Sequence, residues 1–154
     1  MRILGHIHTF NDEEIIDRTV QALLDQTYPV DEIVLVDNAS QDRTLARSFP
    51  KQVIIIRHSE NQGTSGAVAT GMEYALGKQY DWIYLLDADS LPRKDALQRL
   101  IEFYEGLPLK EPRVRGPARP GCAARVSAPP DRPHLNLRPW NQPPTYRRIV
   151  TSGE

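Results

Sequence analysis

The sequence is poor in cysteine, in long apolar runs and in net charge. Cys122 is its only cysteine among 154 residues, which excludes an internal disulfide and is consistent with a reducing compartment. No apolar run approaches the ~20 residues that span a bilayer, and MRILGHIHTFNDEE becomes charged too early for a signal peptide. The net charge of -1 gives no indication of a nucleic-acid surface. We expect a cytoplasmic protein that binds no nucleic acid; attachment to the cytoplasmic face of a membrane through a partner or a missing segment stays open.

Proline is scarce before residue 107 and abundant after it. Residues 1–106 contain only Pro29, Pro50 and Pro92, so 10 of the 13 prolines lie in 107–154. The charge balance changes at the same point. Residues 1–106 hold 10 Lys and Arg against 17 Asp and Glu, whereas the last 48 residues hold 9 against 3. We therefore divide the chain into an α/β domain, 1–106, and a Pro/Arg-rich tail, 107–154.

Three interpretations of the tail stay open. Its prolines remove backbone donors, and little apolar area offsets an ordering cost of roughly 1–2 kcal/mol per residue, which predicts disorder. In the second interpretation, the tail is a ligand for a domain that recognises polyproline helices, although Pro129-Pro130 and Pro143-Pro144 form no clear repeat. The third is a shifted reading frame in GC-rich coding DNA. Another frame past residue 106 would then continue the fold.

Residues 1–106 alternate between apolar strands and amphipathic helices. Strands are predicted over 3–7, 32–36, 53–56 and 82–86. The first of the helices that follow them is predicted to be capped by Asn11 or Asp12, and the others to begin at Ser40 or Asp42, at Thr64, and around Pro92. Strands that are apolar on both faces, each followed by a helix, indicate a mostly parallel sheet with helices on both faces. The pattern stops after the fourth strand and its helix, so the predicted sheet is truncated there.

Polar residues follow every predicted strand. They are the segments HTFNDE at 8–13, DNASQD at 37–42, HSENQGTSG at 58–66 and DADS at 87–90. Turn chemistry explains any one of them. Parallel sheets bind ligands beyond the carboxyl ends of their strands, so four such segments at one edge indicate a binding site.

Asp87 and Asp89 give this edge its most specific chemistry. Carboxylates at i and i+2 can reach one cation, and hard oxygen ligands suit Mg²⁺ or Mn²⁺, which complete their shell with phosphate oxygens. The D-x-D pattern alone is common. The segment from Asn61 to Gly66 either cradles a phosphate at a helix start or allows tight helix packing. His6 and His8 share a strand face without a zinc ligand set, and we expect both to be packed or hydrogen-bonded.

Three segments in order resemble the inverting, GT-A fold glycosyltransferases of family 2. They are residues 8–44, the glycine-containing helix start at 61–76, and the D-x-D strand end at 80–97. The resemblance covers residues 2–106 and none of the tail. The asparagine–glycine segment is closest to the branch resembling rhamnosyl- and galactofuranosyltransferases. The resemblance implies a nucleoside-diphosphate sugar donor, a divalent metal, and an acceptor hydroxyl on a glycan, a lipid-linked compound or a protein.

The resemblance also implies residue roles in nucleotide binding. Thr9 and Phe10 would lie along the nucleoside, with the Phe10 ring near the base and Asn11 in the same turn. Asp37 would accept a hydrogen bond from the base. Asn61 and Gly63 would border the nucleotide.

At the D-x-D strand end, Asp87 would lie near the ribose or a metal-bound water, and Asp89 would ligate Mn²⁺ or Mg²⁺. His8 replaces the proline that is usual in the family, so the loop geometry there is expected to differ. The general base has no recognisable context, because Glu111 and Asp131 are isolated acids among prolines. The catalytic residue stays unknown.

Other function classes compete with a glycosyltransferase. A non-catalytic nucleotide-binding fragment, or pseudoenzyme, would explain the missing base. A nucleotidyltransferase usually has a glycine-rich basic loop after its first strand, whereas HTFNDE is acidic. A response-regulator-like receiver would need a lysine after a later strand, which the sequence does not show.

Overall fold

The computed structural model describes residues 1–107 together with two short strands of the tail. The strands are β1 (Ile3–Thr9), β2 (Glu32–Asp37), β3 (Val53–Arg57), β4 (Trp82–Asp87), β5 (Ala123–Arg125) and β6 (Arg147–Ile149). The helices are α1 (Ile16–Leu24), α2 (Gly63–Gly77) and α3 (Ala96–Glu105). Within this described part, no helix is both long enough and apolar enough to cross a membrane.

The described strands form one sheet in the order β5-β4-β1-β2-β3-β6. Strands β1 to β4 are parallel to their neighbours, whereas β5 and β6 pair antiparallel with β4 and β3 at the two edges. The predicted mostly parallel α/β sheet is therefore confirmed. Because β1 to β4 run in the same direction, their carboxyl ends meet at one edge.

The tail contributes to the sheet through two stretches that contain no proline. Strands β5 and β6 are each three residues long, and antiparallel pairing with an exposed edge requires only a few free backbone groups. The rest of the tail lies outside the described residues. Its disorder and its origin in a shifted frame therefore stay predictions.

Each face of the sheet carries its own apolar cluster, as expected for strands that are apolar on both sides. One cluster packs β1 to β4 against α1 and α3, with Val20, Leu23, Leu97 and Ile101 contributed by the helices. The other packs the opposite face against α2 through Ala67 and Ala75. This two-sided burial fixes the strands, and the loops at their carboxyl ends are held by the same framework.

Two helices begin later than the sequence pattern predicts. Helix α1 begins at Ile16 rather than directly after Asn11 or Asp12; the Asp12 carbonyl accepts from Ile15 N and Ile16 N, both at 3.1 Å, so a turn separates the expected cap from the helix. Helix α3 begins at Ala96, four residues after Pro92. The intervening carbonyls accept hydrogen bonds from residues 26 and 27, which hold that segment outside the helix.

The helix predicted between β2 and β3 is wrong. Residues 38–52 form turns and bends instead. Asp42 Oδ1 accepts from Thr44 N at 2.9 Å and its Oδ2 accepts from Glu13 N at 3.1 Å. The Ser40 hydroxyl accepts from Asn11 N at 2.9 Å. Side chains that bond nearby or neighbouring backbone compete with helix formation, and here they join two loops.

His6 is buried between β1 and α2, as predicted for a packed histidine. It has no exposed surface, and its Nε2 lies 3.2 Å from the Ala67 carbonyl oxygen. The ring lies directly against Gly71 of α2, where an added Cβ would overlap it. The absence of a side chain at Gly71 therefore allows α2 to lie close to the sheet.

Substitution of Gly71 by alanine is expected to destabilise the fold by about 2 kcal/mol, because overpacking a tight contact forces side chains to shift. Urea unfolding followed by circular dichroism measures the change. Gly77→Ala is the matched control on the same helix, since a Cβ there meets nothing within 4 Å. That variant should be neutral or slightly more stable. Equal stability of both variants would contradict the close packing.

Candidate nucleotide and metal site

The structure brings three of the predicted site residues to the ends of adjacent strands. Thr9 and Asp37 are register partners at the ends of β1 and β2. Asp87 ends β4 and is the register partner of His8. The loop after β2 is tied to β1, because Asn38 N donates to the Thr9 carbonyl oxygen at 2.8 Å. The carboxyl edge of the parallel strands thus gathers polar groups from separate parts of the chain.

Asp37 lies beneath Arg57 and has no exposed surface. Its Oδ1 accepts from Ser40 N at 3.2 Å, and its Oδ2 lies 3.1 Å from Arg57 Nε. The Oδ2 atom has no well-aligned hydrogen bond, so the contact with Arg57 is an ion pair. Arg57 Nη2 also donates to the Ser40 carbonyl at 2.7 Å, while its side chain remains 44% exposed. The guanidinium therefore covers the carboxylate from the solvent side.

The turn after β1 is held by Asp12. Thr9 Oγ1 and Phe10 N donate to Asp12 Oδ2 at 2.8 and 2.9 Å. Asn11 adopts a left-handed backbone with φ of 59°, and its side-chain oxygen accepts from Gln41 N at 2.8 Å. The Phe10 ring is exposed at this edge. Thr9 and Asn11 thus organise two loops, and the Phe10 ring is open to a ligand.

A hydrogen-bonded network of two amides and an imidazole supports the start of α2. Asn38 Nδ2 donates to Asn61 Oδ1 at 2.8 Å, and Asn38 Oδ1 lies 2.9 Å from His58 Nδ1. Asn61 Oδ1 also accepts from Gly63 N at 2.8 Å. Gly63 has φ of 70°, a conformation that side chains disfavour. Asn61 therefore fixes the turn that opens the helix.

His58 links β3 to α2 within this network. Its Nε2 lies 2.9 Å from Thr70 Oγ1, and the ring is buried. Burial lowers the pKa of His58, and the nearby Asp37 carboxylate opposes that shift. His58 therefore connects the loop after β2 to α2 through contacts at both ring nitrogens.

Asp87 and Asp89 stand where the sequence predicts a metal. Asp87 Oδ1 lies 3.2 Å from His8 Nε2, and the Asp87 side chain is 40% exposed. Asp89 is exposed and makes no hydrogen bond or ion pair within residues 1–107. No cluster of three or more His, Cys, Asp or Glu suited to a metal occurs among the described residues. Two accessible carboxylates fit a cation that takes its remaining ligands from phosphate and water.

Arg57 is an organising residue that was not predicted from the sequence, and Asn38 and His58 were predicted only as members of polar segments, without a role of their own. Arg57 ends the otherwise apolar strand VIIIR directly opposite the aspartate that ends EIVLVD. A single positively charged residue at the end of an apolar strand was the sequence feature that could have indicated the Asp37–Arg57 ion pair. Asn38 and His58 follow β2 and β3 in the same way, but their contact depends on the strand register.

The comparisons with known proteins identify a family for this chain. The family model described as Glycosyl transferase family 2 matches residues 6–110. The putative teichuronic acid biosynthesis glycosyltransferase TuaG of Bacillus subtilis is 30% identical over 100 residues, which are 62% of this chain and 38% of that protein. Succinoglycan biosynthesis protein ExoO of Rhizobium meliloti is 34% identical over 99 residues, 62% of this chain and 28% of that protein.

Solved structures share the fold. The mannosyltransferase PcManGT from Pyrobaculum calidifontis, in complex with GDP-Man and Mn2+, superposes with a TM-score of 0.59 at 26% identity. The match covers 70% of this chain and 33% of that one. S. aureus TarS in complex with UDP-GlcNAc superposes with a TM-score of 0.58 at 21% identity, over 68% of this chain and 31% of that one; it shows the fold alone.

The chain thus spans less than half the length of these relatives, and the matched region is the one that contains the strands and loops described above. The family model covers the second half of β1, the whole of β2 to β4, all three described helices and the D-x-D segment. The three segments that resemble the family lie apart in the sequence, and the parallel strands bring their polar ends to one edge of the sheet. This chain belongs to glycosyl transferase family 2.

Proposed function

We propose that this chain is the donor-binding half of a metal-dependent, inverting glycosyltransferase. Its donor is a nucleoside-diphosphate sugar. The observation that carries the proposal is the gathering of Thr9, Asp37 and Asp87 at the carboxyl ends of adjacent parallel strands, with Asp89 just beyond. Sheets of this kind bind nucleotides at that edge. Support comes from PcManGT, whose structure contains GDP-Man and Mn2+.

Nucleotide binding is assigned to the loops after β1, β2 and β3. The exposed Phe10 ring offers a stacking surface for a base. Asp37 is assigned as the acceptor for a base N–H, and because Arg57 covers its carboxylate, the guanidinium must turn outward when the base binds. Asn61 and Gly63 border the nucleotide through the start of α2, where free backbone N–H groups favour anions.

Asp89 is assigned as the protein ligand of Mn²⁺ or Mg²⁺, with Asp87 beside it on the ribose side. Both carboxylates are accessible, and oxygen donors suit these cations. When bound, the cation would neutralise charge that develops on the leaving diphosphate. The chain itself contributes the fixed strand end from which both carboxylates project.

Sugar transfer also needs a base that takes the proton of the acceptor hydroxyl during in-line attack. Three acidic residues follow Asp89 within residues 1–107. Asp95 precedes α3 and pairs with Arg99 at 2.6 Å, and Glu102 and Glu105 lie within α3. The second candidate function, nucleotide binding without transfer, needs no such base. The acceptor, whether glycan, lipid-linked or protein, is left open.

Titration calorimetry with UDP, GDP and dTDP, each with and without Mn²⁺, tests the proposal. At least one nucleotide is expected to bind, and binding should tighten when Mn²⁺ is present. The absence of binding by all three would overturn it. A transfer assay with the matching nucleotide sugar then separates the two functions: little turnover is expected of a donor-binding half, and robust transfer would overturn that part.

A further inference from the structure

His8 lies beside Asp87 at the carboxyl edge. The two residues are register partners on the neighbouring strands β1 and β4, so their side chains project from the same face of the sheet. His8 Nε2 is 3.2 Å from Asp87 Oδ1, and the His8 side chain is only 16% exposed while that of Asp87 is 40% exposed. A mostly buried ring thus supports a carboxylate that reaches solvent.

The His8 ring makes a single polar contact within residues 1–107. Its Nδ1 is buried and has no hydrogen-bond partner there, and its other ring neighbour is His6, with 5.8 Å between ring centroids. The proton of a neutral ring therefore belongs on Nε2, where the Asp87 carboxylate accepts it. In the same described part, Asp87 Oδ2 has no side-chain or backbone partner.

We propose that His8 is a positioning residue for Asp87. Its Nε2–H holds Oδ1, which fixes the orientation of the carboxylate and leaves Oδ2 for a water bound to the metal. The inference rests on the proposed function, which places Asp87 at the donor. A carboxylate that is already oriented loses less side-chain entropy on binding, and hydrogen-bond partners of such groups typically alter metal affinity 10–100-fold.

Three substitutions separate positioning from packing. His8→Gln retains an amide N–H at about the reach of Nε2. His8→Leu fills a similar volume without a donor, and His8→Asn carries a donor on a side chain too short to reach Oδ1. Each is titrated with the nucleotide that the wild type binds best, with and without Mn²⁺.

The expected loss of nucleotide affinity occurs only when Mn²⁺ is present. His8→Leu and His8→Asn should reduce the affinity gain caused by Mn²⁺ about 10-fold, while affinity without metal stays near that of wild type. His8→Gln should retain most of the gain. In an Asp87→Ala background, His8→Leu should have no further effect, because a residue that acts through another is non-additive with it.

Several outcomes would overturn the inference. An equal loss with and without Mn²⁺, or an additive loss in the Asp87→Ala background, would make His8 a packing residue. Unchanged binding by His8→Leu would remove its role while leaving the proposed function intact. If wild type binds no nucleotide, the proposed function fails first and His8 loses its role with it. If His8→Leu does not fold, comparing the affinity gain from Mn²⁺ in His8→Gln with that in His8→Asn distinguishes positioning from packing.

Discussion

Substitution of Asp89 by alanine is expected to abolish most of the nucleotide affinity gained from Mn²⁺, a loss of about 100-fold. The estimate follows from removing a direct ligand, which should cost at least as much as removing a partner of a ligand. Asp89 is exposed and has no partner in residues 1–107, so the fold does not depend on it. Stability should stay within about 0.5 kcal/mol of wild type, as for most surface substitutions.

Calorimetry with and without Mn²⁺ measures this effect, and thermal unfolding without ligand checks the fold. Asp89→Asn keeps the shape of the side chain but removes its charge, and it should lose most of the same gain. Glu105→Ala removes an equal charge from the exposed end of α3 and should bind as wild type does. Undiminished metal-dependent binding by Asp89→Ala would exclude Asp89 from the metal site.

Acidification is expected to destabilise the protein by about 3 kcal/mol through His6 alone between pH 7 and pH 4. Burial lowers the pKa of His6 from 6.5 to about 4, and the Ala67 carbonyl only partly opposes that shift. The unfolded chain therefore binds a proton near pH 6.5 while the folded protein excludes it. The contribution of His6 to the free energy of unfolding is fully present above pH 6.5. It falls as the pH drops from 6.5 to about 4 and changes little below that.

Urea unfolding at several pH values in this range, for wild type and His6→Gln, measures the contribution. Glutamine can still donate to the Ala67 carbonyl, but it does not titrate. The carboxylates and His58, whose pKa burial also lowers, contribute to both proteins, so the difference between the two pH profiles isolates His6. Parallel profiles would show that His6 is not excluded from protonation.

The alternation of strands and helices was predictable because it depends on local patterns. EIVLV and WIYLL are short apolar runs with polar ends, and a chain that buries both faces of such runs forms a parallel sheet with helices on each side. Asp87 and Asp89 were predictable as an accessible pair for the same reason: the apolar run ends directly before them.

The loop after β2 was not predictable in this way. Ser40 and Asp42 are good helix starters by composition, yet they bond Asn11 and Glu13 of the first loop. Those partners lie about 30 positions away in sequence, and no local pattern reveals them. The late start of α3 has the same cause, since carbonyls of the segment before it accept hydrogen bonds from residues 26 and 27.

By itself, the sequence determined the fold class, the edge at which polar residues gather, and the carboxylate pair that suits a divalent cation. Only the tertiary structure decided which groups face one another. The pairs Asp37–Arg57 and His8–Asp87 depend on strand register, and register is set by how the two apolar clusters pack on the faces of the sheet. A one-residue slip would turn each of these side chains to the opposite face, which is why packing, rather than local sequence, completes the site.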